Sequence, residues 1–149
     1  MIRALAQSDA VACDAIVAGL PGWFGVEEGI RGCAQAVRSE PGLVAVPDGD
    51  VVGFLTYRRL YAETAEITWM AVRADHHHRG LGRALIEELS SIGRREGWHI
   101  LVVKTLSTRE PNAHYAQTRA FYEALGFMPV QELDIWGPEN PAVLMTKPL

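Results

Sequence analysis

The stretch VRADHHHRGLGRAL, residues 72–85, changes character twice. An apolar, β-branched run, AEITWMAVR (65–73), ends in it, and a polar basic loop follows. Gly80 and Gly82 then open a segment that places Leu85, Ile86, Leu89 and Ile92 on one face, which predicts a helix over about 80–96. Beyond it, WHILVVKTL (98–106) reads as a buried strand. A strand, a helix and a strand in that order form a βαβ crossover, which requires a parallel pair in one sheet.

The flanks read differently. LVAV (43–46) and VVGFLTYR (51–58) bracket PDGD, an Asp-Gly turn signal for a hairpin. The short connection at 61–64 predicts a second antiparallel neighbour. Met1 to Leu5 reads as a short strand, and Ser8 is placed to cap a helix over about 9–18. GLPGWFG (19–25) is a loop with exposed-looking aromatics, and a second helix covers about 26–39 with Glu27 and Glu28 at its start. A helix over about 113–125 stops at Gly126, and strands follow at 127–135 and 142–147. The order β-α-α-β-β-β-α-β-α-β-β predicts an α/β (α+β) single domain over residues 1–149. Its expected centre is a mixed β-sheet with helices on both faces.

Composition narrows the function. The chain has 149 residues, 48% hydrophobic and 21% charged, which fits one globular domain. Its net charge of -4 argues against general nucleic-acid binding, and no apolar run is long enough to span a membrane. Asp9 and Asp14 interrupt the N-terminal apolar stretch, so it does not read as a signal peptide, and a cytoplasmic protein is expected. Cys13 and Cys33 have no CxxC spacing. They read as small buried hydrophobes on the first two helices, not as nucleophiles.

Within this acidic chain, residues 73–83 carry Arg73, Arg79 and Arg83 against one acid, Asp75. Glycines that allow close backbone approach, followed by a helix start with unpaired amides, suit a phosphate. A dinucleotide fingerprint needs Gly or Ala where Leu85 stands, and no P-loop pattern is present. The run His76-His77-His78 has no second ligand cluster nearby, so no metal is expected.

Two motifs then coincide. His77-His78-Arg79-Gly80-Leu81-Gly82 resembles the [Gln/Arg]-x-x-Gly-x-[Gly/Ala] pyrophosphate loop of the GNAT family of N-acetyltransferases. Thr118 to Phe127, TRAFYEALGF, resembles that family's second signature, a helix ending in FYxxxGF. The resemblance covers about residues 43–149, and its first motif position holds His77 rather than Gln or Arg. It implies acetyl-CoA as co-substrate and a splayed strand pair, 65–73 and 98–106, enclosing a V-shaped slot. It further implies that backbone groups around Met70, Ala71 and Val72 hold the pantetheine arm. Amides from about His78 to Ala84, through Arg79, Gly80, Leu81, Gly82 and Arg83, would hold the pyrophosphate. Thr118, Phe121 and Tyr122 would line the cofactor. Tyr115 stands where many relatives carry a pantetheine-binding Asn, and Asn112 is not a clean substitute.

The same resemblance gives Tyr122 the role of general acid toward the leaving thiolate. Glu66, on the strand beside the slot, is the candidate base, directly or through water. A backbone N–H near Met70–Val72 would hold the oxyanion. Acceptor candidates are Trp23, Phe24, Trp69 and Trp136, with Glu27, Glu28, Asp134 and Glu139 close in sequence; aromatics beside acids suit a cationic amine. The expected activity is transfer of an acetyl group to a primary amine by direct attack in a ternary complex. The alternatives are a non-catalytic acyl-CoA-binding module and an O-acyltransferase. The expected partner is a small-molecule or peptide amine, with a second copy of the chain as a further option.

Overall fold

The structure, a computed structural model, describes residues 1–109 and 112–149. Its elements follow the expected order. They are β1 (Ile2–Ala4), α1 (Ala10–Ala18), α2 (Glu27–Ser39), β2 (Gly42–Ala45), β3 (Gly53–Tyr61), β4 (Thr64–Val72), α3 (Leu81–Glu96), β5 (Ile100–Leu106), α4 (Ala113–Ala124), β6 (Met128–Leu133) and β7 (Ala142–Pro148). The seven strands form one mixed sheet in the order β1-β2-β3-β4-β5-β7-β6. The chain divides into two compact units, Met1–Arg58 with Ile67–Ile92 and Arg59–Glu66 with Gly93–Leu149.

In the first unit β1 and β3 flank β2, both antiparallel to it, with Ile2 opposite Ala45 and Gly42 opposite Thr56. The expected Asp-Gly turn is present, with Gly49 at φ 92°. Cys13, Ile16 and Val17 of α1 and Cys33 and Val37 of α2 pack with Val44, Phe54 and Ala71 into one apolar cluster. Leu85, Ile86 and Leu89 of α3 are fully buried, as their spacing requires, while Ile92 is half-buried.

Ser8 does not cap α1. It lies in a 3-10 turn, Gln7–Asp9, and the helix begins at Ala10. The Asp9 carboxylate serves the start of that turn instead: it accepts the Ala6 amide at 2.8 Å and a two-pronged pair from Arg3 at 2.8 and 2.9 Å, and it makes no side-chain cap bond to α1. The Arg3 guanidinium holds the Asp9 carboxyl below its ordinary range.

In the second unit β7 lies between β5 and β6, antiparallel to both. Its register with β6 slips between Pro129 and Gln131. Proline has no amide to donate, so it is tolerated on this edge strand beside a bulge. Leu101, Val103, Tyr122, Leu125, Phe127, Val143 and Met145 are buried here. α4 ends as predicted, with Gly126 at φ 97° accepting the left-handed turn that a side chain resists. Trp98 is buried but precedes β5, which starts at Ile100.

Candidate functional site

The first unit carries the glycine turn expected to hold an anion. After β4, Arg73 donates its amide to the Val52 carbonyl at 2.7 Å, and a 3-10 turn covers Ala74–His76. His78 then takes φ 61° and Gly80 φ 79°. A Cβ on Gly80 would meet nothing within 4 Å, so glycine is there for its backbone angle and not for want of space. Alternation of right- and left-handed residues turns successive amides toward one concave side. Ala84 makes the first bond of α3, to the Gly80 carbonyl at 3.0 Å. The amides of Leu81, Gly82 and Arg83 therefore precede the helical ladder and are available to an anion.

Charge supports that reading and sorts the arginines. Arg73 is committed to Asp75 at 2.7 Å, and that pairing, with His76 adding to it, pulls the Asp75 carboxyl well below its ordinary range. Arg83 reaches Glu87 only at 3.4 Å, and Arg79 and His78 are exposed. His77 holds the first position of the loop motif. Its ring turns back and donates from Nε2 to the Val72 carbonyl at 2.6 Å. Of the strand residues expected to face the pantetheine arm, Ala71 is buried, and Met70 and Val72 are half-buried.

The second unit holds both candidate proton carriers. Tyr122 lies in α4, 6% exposed, between the rings of Phe121 and Phe127, each 5.3 Å away. Burial, reinforced by Tyr115, raises its pKa well above the usual phenol value. The phenol is therefore fully protonated at neutral pH. Asn112 is the N-cap of α4; its Oδ1 accepts the His114 and Tyr115 amides at 2.9 and 3.3 Å. That oxygen is thereby engaged locally. Tyr115 is half-buried, with its phenol pKa raised by burial, and Thr118 donates to the His114 carbonyl at 3.1 Å.

Glu66 is 5% exposed, so it is not a solvated edge carboxylate. Its Oε2 lies 3.4 Å from the Lys104 ammonium on β5. Lys104 was not singled out from sequence, although a lone cation in an otherwise apolar strand, LVVKTL, signals a buried partner. Arg119 was also missed; it donates to the Leu106 and Ser107 carbonyls at 2.7 and 3.0 Å and ties α4 to the end of β5.

The acceptor candidates divide. In the first unit Trp23 and Phe24 are half-buried and pack on the core cluster, so the loop 19–25 is less exposed than its composition suggests. Phe24 stacks on Trp69 at 6.1 Å, and the Trp69 indole lies so close to α2 that a Cβ on Gly32 would stand 3.1 Å from it. Glu27 and Glu28 are exposed. In the second unit Asp134, Trp136 and Glu139 are exposed, and Asp134 lines a cavity of about 290 Å³ with Arg109 and Leu133. Cys13 and Cys33 are fully buried, and burial pushes both thiols up to about 12, which removes the thiolate a covalent route needs. Among the described residues, no group of three His, Cys, Asp or Glu side chains could hold a metal ion. No described helix is long and apolar enough to cross a membrane.

Comparison with known proteins bears on the family and the fold. The family described as an acetyltransferase (GNAT) domain matches residues 38–129. A GNAT-family protein from Desulfovibrio desulfuricans superposes with a TM-score of 0.85 at 23% identity, over 99% of this chain and 98% of its own. Ribosomal-protein-alanine N-acetyltransferase from Brucella melitensis gives 0.74 at 23%, over 100% and 99%. An aminoglycoside 6′-N-acetyltransferase complexed with coenzyme A gives 0.74 at 18%, over 99% and 96%. At these identities the likeness is one of fold. No curated protein matches the chain in sequence.

Proposed function

The chain belongs to the GNAT acetyltransferases, and from that premise we propose that it moves an acetyl group from acetyl-CoA to a primary amine by direct attack. The observation that carries this reading is the turn at His78 and Gly80, which leads into unpaired amides at the start of α3. The residues fit the co-substrate: the amides and Arg79 suit a pyrophosphate, and backbone groups of Met70, Ala71 and Val72 suit the pantetheine amides. The thioester supplies an activated carbonyl carbon. The amine nitrogen forms a bond to that carbon, and the carbon–sulfur bond breaks. Tyr122 gives its phenolic proton to the departing sulfur, and Glu66 takes the proton lost by the nitrogen, directly or through water. A backbone N–H near Met70–Val72 steadies the oxyanion. Acylation of an alcohol and cofactor binding without turnover are the competing outcomes.

Aromatic side chains on the α1–α2 loop, Glu27 and Glu28 at the start of α2, and the acids around Trp136 favour a cationic acceptor. The test is release of coenzyme A thiol across a panel of polyamines, amino acids, aminoglycosides and peptide N-termini, with mass spectrometry of the products. A +42 Da amine product (roughly one acetyl group) is expected only with a neutral-competent primary amine. Acetyl esters alone would make the enzyme an O-acyltransferase, and binding without thiol release would make it a non-catalytic module.

Gly82 gives a second check on the same reading. A branched side chain on this second residue of α3 blocks close approach of an anion to the amides. Gly82→Val is expected to weaken acetyl-CoA binding about tenfold or more, equivalent to about 1.4 kcal/mol. Calorimetric titration of the folded variant measures it, and unchanged affinity would move the cofactor elsewhere.

A further inference from the structure

Three consecutive histidines occupy three different environments. His76 donates from Nδ1 to the Asp75 carboxylate at 2.9 Å, beside the Arg73 bond. His78 supplies a left-handed backbone turn. His77 does neither. Its Nε2–H donates to the Val72 carbonyl at 2.6 Å, which closes the neck of the turn that follows β4. The same ring meets Trp23 edge to face, with centroids 5.6 Å apart and planes at 87°. Trp23 belongs to the α1–α2 loop, where its amide and that of Phe24 both donate to the Leu20 carbonyl, at 3.1 and 2.9 Å.

One side chain thus touches the end of β4 and the α1–α2 loop, both in the first unit. The turn at its neck contains two left-handed residues within three, and at His78, which is not a glycine, that conformation costs free energy unless its surroundings hold it. A hydrogen bond from residue 77 back to residue 72 removes competing loop shapes. Few side chains meet both demands. Gln donates but has no ring for Trp23, whereas Phe presents a ring and cannot donate. Histidine does both.

We infer that His77 is a positioning residue that braces the anion-binding turn and the α1–α2 loop from a single ring. For its bearing on acetyl-CoA this rests on the proposed function; the bracing itself does not. The experiment is amide hydrogen exchange of the full chain without ligand, on wild type, His77→Phe and His77→Gln. In His77→Phe, exchange at His76, His77 and Ala84 is expected to rise about tenfold, while Trp23 and Phe24 stay within about threefold of wild type. In His77→Gln the pattern reverses. Calorimetry adds a second readout: acetyl-CoA binding should weaken about tenfold in His77→Phe and stay within about threefold in His77→Gln. If His77→Phe does not fold, His77→Leu tests loss of the donor against the His77→Gln arm. Joint loosening of both segments in each variant, or no change in either, would overturn the inference. A wild type that binds no acetyl-CoA would sink the functional reading instead, and the exchange pattern would still decide the role of His77.

Discussion

Tyr122→Phe is expected to lower kcat by about 10²–10⁴-fold, the range that general acid catalysis contributes. The argument begins with burial. The phenol is 6% exposed between two aromatic rings, and its pKa is raised. Burial raises this pKa because it penalises the charged phenolate. A thiolate expelled into the same water-poor site is penalised in the same way, which keeps the two groups close enough in basicity for the proton to pass to sulfur. Phenylalanine keeps the ring and its packing but removes the proton. Acetyl-CoA affinity should therefore change by less than about threefold, because ground-state binding does not use that proton. Loss of one hydroxyl costs about 1 kcal/mol of stability at most, too little to explain the rate loss in a folded protein. The measurement is kcat beside a thermal melt. Near-wild-type turnover by a folded variant would take Tyr122 out of the mechanism and leave water as the donor.

The second large effect is expected at Glu66. Glu66→Gln preserves shape and removes the basic oxygen, so kcat at neutral pH should fall by about 10²-fold. The deficit should shrink as pH rises toward the ordinary range of an alkyl amine, about 10.4 for a lysine-type group, because the acceptor then loses its proton to solvent. A residue that serves only as an ion-pair partner predicts something else. Glu66→Gln would then strand the Lys104 ammonium and lower the melting temperature, with kcat unchanged. Lys104 is 30% exposed, so water can rehydrate it and the stability loss should be smaller than the roughly 3–5 kcal/mol of a fully buried broken pair. Lys104→Met separates the two further, since it breaks the pair and leaves the carboxylate. A pH-independent kcat in Glu66→Gln equal to wild type would remove Glu66 as base.

Much of the fold was legible from periodicity alone. The interval-of-three-and-four spacing of Leu85, Ile86 and Leu89 and the apolar runs of β3 to β5 report burial directly, because a helix or strand buries only the face its period selects. The order of all eleven predicted helices and strands follows from such local patterns. The glycine turn was legible for a related reason: a left-handed backbone angle at Gly80 is demanded locally and by the chain itself. The FYxxxGF run likewise places Tyr122 on a helix that stops just before Gly126.

Tertiary structure decided what depends on partners distant in sequence. Ser8 is the natural cap by local rules, yet residues 7–9 fold into a 3-10 turn held by Asp9 on the Ala6 amide and Arg3, and α1 starts without a side-chain cap. Alternation put Glu66 on one face of β4 without saying whether that face was wet; only the fold buries it and brings Lys104 from β5 within 3.4 Å. The loop 19–25 carries the glycines and proline of a surface loop but rests its aromatics on the core, through Phe24 on Trp69. His77 is the sharpest case. Its motif position does not say what its side chain meets; the fold gives its donor to Val72 and its ring to Trp23. Periodicity is a property of neighbours along the chain, so sequence alone determined the elements and their order. Solvation, ion pairing and ring contacts are properties of neighbours in space, so only folding assigned those side chains their chemistry.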